Sequence, residues 1–366
     1  MKITRQYNYP LKPDKHQKEI MMKIFGSVRF LYNHYLDSLK EKKSQYRLAK
    51  EIVLEYKIKY PFLEEIDNSI LMHVIFQAQD NIKNLHRYKK RRDSFCSFTL
   101  SNLYKRPIYI VDEKWVTIAP LGKVKIVYHR RLPSGAKIKK ATVFRQAEGK
   151  YFISICVESE KNPPFKHLNP QNSIGLDYSS AHFYVDSNGN TADLPHFYRN
   201  KEKRIAALDR KIRNSAHGSN NYFKYRQERA KIFARITNQR NDHLHKLSTK
   251  LSREYDIICV EDLDLKEIAE KENLGKSTLD NSYAKFVEML KYKMEEQGKL
   301  LLHVNRYYPS SKTCSGCGFV IKELPLDERT WTCPNCHMTM NRDHNAAINI
   351  RNKCISNHFG RRVFGL

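Results

Sequence analysis

Residues 309–350, PSSKTCSGCGFVIKELPLDERTWTCPNCHMTMNRDHNAAINI, form the stretch that decides how the rest of the chain is interpreted. They contain two CxxC pairs, Cys314/Cys317 and Cys333/Cys336, with fifteen residues between the inner cysteines. Two such knuckles allow four thiolates to bind one tetrahedral zinc ion at about 2.3 Å, on the scaffold of a zinc ribbon. Because four thiolates close the coordination sphere, we expect one structural zinc; a redox dithiol or an iron–sulfur cluster is the alternative.

Three acidic residues stand in unusual sequence contexts. Asp343 follows the second CxxC pair at the start of a predicted helix. Asp177 ends an apolar strand that opens a hairpin, and Glu261 ends the apolar run IICV. An acid after buried strand residues suggests a site at the sheet edge; for each residue alone, capping or turn formation is the alternative.

The order of these acids along the chain is more informative than any one of them. A hairpin with Asp177, a later strand with Glu261 and a final helix with Asp343 is the layout of an RNase H-like nuclease. In such enzymes carboxylates hold two Mg²⁺ ions about 3.5–4 Å apart for in-line attack of water on a phosphodiester. We therefore predict that these three residues are catalytic and bind magnesium.

Other acids compete locally for these roles. Alternation along a strand directs Glu261 and Asp262 to opposite faces, so only one of them should line the site, and we favour Glu261. Asp264 lies farther along the same polar stretch, and Asp186 stands beside a Ser-Asn-Gly-Asn turn, where a turn-forming role is expected. His344 could orient a water or contact a phosphate, with a helix-surface position as the alternative.

The charge of the chain indicates its partners. With Lys+Arg 66 against Asp+Glu 39, the formal net charge is +27, and the length of 366 residues allows two or three domains. Such a basic chain usually binds a polyanion, and nucleic acid is the first candidate; an anionic membrane surface is the alternative.

The location can also be predicted. The N-terminus lacks the apolar core of a signal peptide, and no segment has the uninterrupted apolar length of a membrane span. Cys96, Cys156 and Cys259 sit among apolar or aromatic neighbours and are expected to be buried, whereas the role of Cys354 stays open. Without a disulfide framework, we expect a reducing cytoplasm, either the bacterial cytosol or the nucleoid.

The first half of the chain alternates between two kinds of pattern. Residues 1–12 are predicted to form a strand, and residues 13–94 carry helical periodicity that ends in the basic run HRYKKRR. Residues 95–160 contain five or six short β-rich runs separated by turn residues, which suggests a small barrel that includes the first strand. The helices would then be an insertion into the barrel, and residues 161–170 a linker.

Positive charge is concentrated in two helical regions. The predicted helices within residues 200–253 are strongly basic, and the run at residues 86–92 is basic with tyrosines nearby. Phosphate contacts are the interpretation we favour over a merely solvated face. The candidates are Arg87, Lys89, Lys90, Arg91, Arg92, Arg204, Arg210, Lys211, Arg213, Lys224, Arg226, Arg229, Lys231 and Arg235.

Several strings resemble those of the transposon-encoded TnpB family, relatives of the type V CRISPR effectors. These strings are IGLDYSS…YVDSNGN, IICVEDLDLK, PSSKTCSGCG, CPNC and NRDHNAAINI, and KFVEMLKYKMEEQGK and RFLYNHYL add to the resemblance. The resemblance covers nearly the whole chain. It implies an RNA-guided DNA endonuclease that binds a guide RNA, recognises a short motif flanking its double-stranded DNA target, and cuts with a single RuvC-type site.

The resemblance also implies a multidomain α+β architecture. Residues 1–12 and 95–160 would form a wedge β-barrel, residues 13–94 an inserted helical recognition domain, and residues 161–170 the linker. Residues 171–308 and 341–366 would form an RNase H-like RuvC domain, with residues 309–340 inserted as the zinc ribbon. Carried over by motif, Asp177, Glu261 and Asp343 would be the Mg²⁺ ligands, and the four cysteines would be the Zn²⁺ ligands.

Base recognition is harder to assign. Gln77, Gln79 and Asn84 in FQAQDNIKN could pair with adenine, or be exposed helix polars. The polar residues 262–280 are a candidate lid or a plain loop. The partners implied are guide RNA and target DNA without a membrane, and a homodimer on one RNA is an open option.

Two departures from the family pattern remove no presumed ligand. The first motif reads GLDYSS where a glycine commonly follows, and Asn341 stands where an aspartate is frequent. Because all three acids are present, cleavage is favoured over a guide-dependent DNA-binding regulator without cleavage. A guide-free resolvase or recombinase is a third option, which gives the front half of the chain no obvious purpose.

Overall fold

The computed structural model describes residues 2–41, 48–85, 89–92, 95–101, 109–160, 167–179, 182–263, 282–325 and 328–360. The chain divides into two compact units, an N-terminal unit of Met1–Asn162 and a C-terminal unit of Pro163–Leu366. No helix in the described ranges has the length and apolar character needed to cross a membrane.

The N-terminal unit is built on a seven-stranded antiparallel sheet. Its order is β2-β6-β7-β1-β5-β4-β3. The strands are β1 (Lys2–Lys12), β2 (Ser97–Ser101), β3 (Tyr109–Asp112), β4 (Trp115–Ile118), β5 (Gly122–Ile126), β6 (Lys137–Arg145) and β7 (Tyr151–Glu160). The first strand therefore pairs with strands more than 100 residues later, as its alternating pattern predicted.

The N-terminal sheet is a half-barrel and not the small barrel that the sequence predicted. Within the described residues β2 and β3 are the two edges, so the sheet is open and forms a half-barrel. The long ladder between β1 and β7 extends from Lys2 to Leu11, whereas β1 meets β5 only at Leu11 and Lys12. Alternation reveals which residues form strands, but it does not show whether the two outer strands meet.

Three helices follow β1 in the chain: α1 (Lys15–Glu41), α2 (Ala49–Lys59) and α3 (Asn68–Leu85). A capping box begins α1, because Asp14 accepts from the backbone of Gln17 at 2.7 Å and the Gln17 side chain accepts from the backbone of Asp14 at 3.1 Å. The predicted helical face of α1 is buried in one core with α3 and the sheet.

The C-terminal unit contains a five-stranded mixed sheet of order β10-β9-β8-β11-β12. Its strands are β8 (Ser173–Tyr178), β9 (Tyr184–Asp186), β10 (Thr191–Ala192), β11 (Ile257–Glu261) and β12 (Leu300–Val304). The central strand β8 is antiparallel to β9 and parallel to β11, which is in turn parallel to β12. The sheet is therefore 3-2-1-4-5 in chain order, with only the hairpin strands antiparallel.

Helices cover both faces of this sheet. The α-helices in the described part of this unit are α4 (Glu202–Arg213), which packs against α5, then α5 (Asn220–Glu254), α6 (Tyr283–Glu296) and α7 (Arg342–Phe359). Ile174, Leu176, Ile258 and Val260 share a core with residues of α5 and α6. The alternate residues Ile257 and Cys259 share a second core with α7, so the sheet separates two apolar layers. Cys354, whose role was open, is buried in this second layer.

The cysteine-rich segment precedes α7. Two short strands, β13 (Thr330–Thr332) and β14 (Thr339–Asn341), pair antiparallel. A small core of its own contains Trp331, Cys314, Cys333, Leu324 and Met340. The module has little apolar area to bury, and structural zinc sites commonly stabilise modules of this kind.

Candidate functional site

The parallel pairing of β8 and β11 brings two acids to one edge of the sheet. Val260 is in register with Leu176, so the next residues, Glu261 and Asp177, are neighbours at the carboxyl ends of adjacent strands. Residues two apart in a strand point to the same face. Asp177 therefore shares a face with Gly175, and Glu261 shares that face with Cys259.

This face of the sheet is covered by α7, and a glycine permits their close approach. A Cβ built on Gly175 would lie 2.1 Å from the carbonyl oxygen of Ala347 and 2.9 Å from the Cβ of Arg351. The Cys259 sulfur also lies on this side, 3.9 Å from the carbonyl oxygen of Arg351. As long as α7 keeps this position, only glycine fits at residue 175.

The third acid, Asp343, reaches the site through the same packing. Asp343 precedes Ala347 by four residues, about 6 Å along one side of the helix. Asp177 follows Gly175 by two residues, about 6.6 Å along the strand. Both displacements start at the contact between Gly175 and Ala347 and run toward the same end of the sheet. Residues of two strands and one helix therefore form the site.

The electrostatics of the site reflect this crowding. Burial raises the pKa of Asp177 well above its usual range, and the negative charges of Glu261 and Asp343 raise it further, against the lowering effect of Arg342 and Arg329. Burial also raises the pKa of Glu261. Partly buried carboxylates that repel one another are a poor arrangement for a stable fold alone, but they fit a divalent cation, which prefers oxygen ligands.

Two further residues contact the acids. The Ser310 hydroxyl donates to Glu261 Oε1 at 2.5 Å, which lowers the pKa of that carboxyl against the effect of burial. Arg329, between the two CxxC pairs, lies with Nη1 3.4 Å from both carboxylate oxygens of Asp343. The Arg329 side chain is 56% exposed, whereas that of Asp343 is only 17% exposed.

The sequence analysis missed both residues. Ser310 belongs to the string PSSKTC, in which only the cysteine is part of a metal-binding pattern, and a single serine carries no signal of its own. Arg329 is one of many arginines in a basic chain, and only its position opposite an acid distinguishes it. Its location within the cysteine-rich segment was the available clue.

The start of α7 explains the departure at Asn341. The Asn341 side chain caps the helix, with Oδ1 accepting from the backbone N–H groups of Asp343 and His344 at 3.0 Å. An asparagine performs this role as well as an aspartate without adding negative charge. His344 Nε2 lies 3.3 Å from the carbonyl oxygen of Ser187, so the imidazole contacts the hairpin turn.

The local competitors have other surroundings. Asp186 Oδ1 accepts from the backbone N–H groups of Asn188 and Asn190 at 2.9 Å, as expected for a turn former. Asp262 lies just beyond β11 and is exposed. Asp264 and residues 264–280 of the predicted lid lie outside the described residues.

The four cysteines form a cluster that could hold one metal ion. Their sulfurs lie within 4.8 Å of one another. The Cys314–Cys336 and Cys317–Cys333 sulfur pairs are each 3.6 Å apart. Four sulfurs at about 2.3 Å from a tetrahedral centre would be ~3.8 Å apart, so the donor set fits one zinc ion.

The structure of the N-terminal unit changes which residues remain candidates for nucleic-acid contacts. Gln79 is buried and its amide donates to the Tyr35 hydroxyl at 3.0 Å, so the prediction that Gln79 reads a base is wrong. Arg91 donates to the Gln77 side chain at 2.6 Å, and its guanidinium lies between the rings of Tyr32 and Phe95. Gln77 and Arg91 are thus engaged with each other inside this unit.

The remaining basic candidates of this region are more exposed. Lys89 and Arg92 are exposed, and Lys90 is exposed while its Nζ lies 2.6 Å from Asp37. Asn84 is exposed near the end of α3. Arg87 lies outside the described residues.

Helices α4 and α5 present most of the predicted cations to solvent. The exposed ones are Arg204, Arg210, Lys211, Arg213, Lys224, Arg226, Lys231 and Arg235. Arg229 is half-buried and pairs with Asp209 at 2.6 Å. Aromatic rings stand among these cations, with Lys211 over Tyr225 and Arg226 over Tyr222. Phe223 is 56% exposed at the start of α5. Exposed rings among cations are typical of surfaces that contact nucleic-acid backbones and bases.

Profiles of known protein families match three parts of the chain. Three family profiles match: "Cas12f1-like, TNB domain" over residues 283–350, "Probable transposase" (OrfB_IS605) over residues 154–272, and "Helix-turn-helix domain" (HTH_OrfB_IS605) over residues 1–47. In the described part of the last range, residues 2–41, the structure has the strand β1 and the helix α1.

Relatives cover nearly the whole chain. A "Putative RNA-guided DNA endonuclease" of Streptomyces pristinaespiralis is 30% identical over 95% of this chain and 89% of its own length. A protein of the same description from Escherichia coli K12, InsQ, is 25% identical over 96% of this chain and 92% of its own. TnpB-like protein L79 of Acanthamoeba polyphaga mimivirus is 26% identical over 92% of this chain and 71% of its own.

A solved structure shares the fold. The protein of a Cas12f1–sgRNA–target DNA complex aligns with a TM-score of 0.58 over 96% of this chain and 99% of its own, at 11% identity. At that identity the likeness concerns the fold alone. The family follows from the sequence relatives, above all from the 30% identity that extends over most of both chains. The chain belongs to the TnpB (OrfB of IS605) family.

Proposed function

We propose that this protein is an RNA-guided DNA endonuclease that cuts target DNA, next to a short flanking motif, at a site formed by Asp177, Glu261 and Asp343. The observation that carries the proposal is that three acids from distant segments crowd together, so that two of them raise the pKa of the third. Relatives described as RNA-guided DNA endonucleases support the same activity.

We propose an RNase H-like RuvC fold for residues 171–308 and 341–366. The 3-2-1-4-5 strand order, the antiparallel hairpin strand and the helix α7 against β8 support this assignment. Residues 1–12 and 95–160 would be the wedge domain, residues 13–94 the recognition domain, residues 161–170 the linker and residues 309–340 the zinc ribbon. The extensive pairing of β1 with β7 supports grouping the first two of these ranges together.

The acids would hold a pair of Mg²⁺ ions. Bound there, Mg²⁺ would activate a water and neutralise charge on the phosphodiester. The residues of the site would then have distinct roles. Asp177 and Glu261 hold fixed positions because they end paired strands, and Asp343 is fixed by the capped start of α7. Arg329 supplies positive charge at the exposed side of the site, where a scissile phosphate would enter.

We assign the four-cysteine site to one structural Zn²⁺. The sulfur separations support this assignment, and four protein thiolates leave no position for a substrate. The ribbon would therefore contribute shape and charge, including the Arg329 side chain, without metal chemistry of its own.

We propose guide RNA and double-stranded target DNA as the partners. The net charge of +27 and the exposed cations of α4 and α5 support contacts to phosphate backbones. Backbone contacts of this kind recognise the shape of a guide–target duplex and leave sequence recognition to base pairing. Lys89, Lys90 and Arg92 remain candidates for the same kind of contact.

The test begins with the full-length protein purified together with its RNA. Sequencing that RNA defines the guide, and a duplex matched to the guide, presented with a library of flanking sequences, is then incubated with Mg²⁺. We expect cutting of the matched duplex only, dependent on RNA and on Mg²⁺. Asp177→Ala, Glu261→Ala and Asp343→Ala should abolish cutting while guide-dependent DNA binding persists.

Three other outcomes would change the assignment. Guided binding without cutting by the unmodified protein would support a DNA-binding regulator. Cutting without RNA would support a guide-free recombinase. Cutting by the triple alanine variant would show that the site lies elsewhere.

A further inference from the structure

One short loop, residues 309–315, connects the four-cysteine site to the carboxylate site. At one end, Cys314 is a member of the cysteine cluster. At the other end, the Ser310 hydroxyl donates to Glu261 Oε1 at 2.5 Å. Ser310 is only 7% exposed, so this hydrogen bond lies inside the protein.

Two buried asparagines of α7 fasten this loop. Asn349 donates to the carbonyl oxygens of Ser310 and Thr313 at 2.8 and 2.6 Å. Asn345 donates to the carbonyl oxygen of Thr313 at 2.7 Å and accepts from the backbone N–H of Ser315 at 2.9 Å. Both asparagines are at most 4% exposed.

These contacts form a continuous path. Asn345 and Asn349 lie on the helix that carries Asp343, the loop carries a cysteine of the cluster, and the loop ends on Glu261. Within the loop, the Pro309 carbonyl oxygen accepts from the backbone N–H groups of Lys312 and Thr313 at 3.1 and 3.0 Å. This turn is attached at two places, to the asparagines on one side and to the cysteine cluster on the other.

We propose that Ser310 is a positioning residue for Glu261, and that metal bound by the four cysteines sets the position of Ser310. Loading of the cysteine site would thereby control the affinity of the carboxylate site for its divalent cation. This inference rests on the proposed function of the three acids. It adds a regulatory link between two metal sites within one chain.

The physical reason lies in the freedom of the Glu261 side chain. A glutamate has three rotatable bonds, and burial alone does not choose among its conformers. The charge-assisted hydrogen bond from Ser310 fixes Oε1 and leaves Oε2 for a cation. Loss of such a partner of a metal ligand typically lowers metal affinity by about 10–100-fold.

The link to the cysteine cluster follows from the short distance along the chain. Only three residues separate Ser310 from Cys314. Without metal, the four thiolates repel one another or bind protons, and the knuckle at Cys314 loses the geometry that it imposes on the loop. The asparagines and the turn at Pro309 would then hold only the backbone of residues 309–313, which does not fix the Ser310 side chain.

The first experiment measures binding of Mn²⁺ alone to the full-length, zinc-loaded protein, by electron paramagnetic resonance of free Mn²⁺. We expect Ser310→Ala to weaken binding by about tenfold or more. Ser310→Thr keeps the hydroxyl and should restore most of the affinity. Ser311→Ala, at the neighbouring serine, is the matched control and should bind Mn²⁺ like the unmodified protein.

The second experiment tests the link to the cysteines. Cys336→Ser removes an exposed ligand from the other knuckle, and zinc content is measured to verify the loss of metal. Fluorescence of Trp331, which is buried in the cysteine module, reports the state of that module. We expect Cys336→Ser to weaken Mn²⁺ binding about tenfold in the unmodified background, and by less than twofold in a Ser310→Ala background.

The outcomes separate the possible failures. Equal Mn²⁺ affinity of Ser310→Ala and the unmodified protein would overturn the positioning role. Loss of zinc without loss of Mn²⁺ affinity, or additive effects of the two substitutions, would overturn the link. If the unmodified protein itself binds no Mn²⁺ that depends on Asp177, the proposed function fails and this inference fails with it.

Discussion

The substitution Gly175→Ala tests whether the contact between β8 and α7 sets the active site. The new Cβ would lie 2.1 Å from the carbonyl oxygen of Ala347 and 2.9 Å from the backbone nitrogen of Arg351. Carbon–oxygen contacts are ordinarily no closer than about 3.3 Å, so the helix must withdraw by about 1 Å. Overpacking of this kind costs about 1–3 kcal/mol of stability, and occasionally more.

The functional loss should exceed the loss of stability. Because Asp343 lies on the same side of α7, it moves away from Asp177 and Glu261 when the helix moves. A displacement of about 1 Å at a catalytic centre can lower the rate about 100-fold. We therefore expect guided cleavage to fall by about 100-fold or more, while zinc content and retention of guide RNA stay close to those of the unmodified protein.

The assays are chemical denaturation for stability and single-turnover cleavage of a matched duplex for activity. Gly26→Ala is the control, because Gly26 lies within α1 with no atom within 4 Å of a new Cβ. This control should gain up to about 1 kcal/mol from helix propensity and cleave normally. The reasoning is refuted if Gly175→Ala is as stable as the unmodified protein and cleaves within threefold of its rate.

Three other substitutions probe the electrostatics. Asp177→Asn removes one of the crowded charges and should abolish cleavage. The free energy of unfolding of the metal-free protein, measured by thermal or chemical denaturation, should rise by on the order of 1–3 kcal/mol. A drop in stability would contradict repulsion between like charges. Arg329→Ala should lower guided cleavage by about 100-fold with RNA retention unchanged, whereas Lys322→Ala in the same segment should cleave normally; equal rates for the two variants would remove Arg329 from the site. Burial, with two nearby cations, lowers the pKa of His73 to about 4, below its unfolded value of about 6.5, so its stabilising contribution is complete above pH 6.5 and is lost as the pH falls toward 4. Between pH 7 and pH 5, denaturation should show a loss of at most about 2 kcal/mol in the free energy of unfolding, which His73→Phe should reduce, and identical pH profiles of the two proteins would contradict this.

The local patterns were readable from the sequence because they depend on neighbours in the chain. The spacing of the cysteines indicated a four-thiolate cluster, and the sulfurs do lie together. Alternation indicated the strands of both sheets, and Glu261 is half-buried whereas its neighbour Asp262 is exposed. The three acids were selected because each follows or precedes an element that has to be buried, which is a property of a few consecutive residues.

Relations between distant segments were not readable in the same way. The side chain of Gln79 has the polarity of a surface residue, but its amide pairs with a tyrosine from another helix, and a helical pattern gives no sign of that pairing. The open edge of the N-terminal sheet depends on whether two outer strands meet, which alternation does not determine. Ser310 and Arg329 gain their roles only from the residue opposite, so their sequence positions carry little information.

The register of β11 against β8 has a consequence for how such chains diverge. Insertion or deletion of one residue within Ile257–Val260 would turn Glu261 toward the apolar layer of α5 and α6 and place a hydrophobic residue among the acids. Changes of length should therefore be inherited only in the segments between the strands.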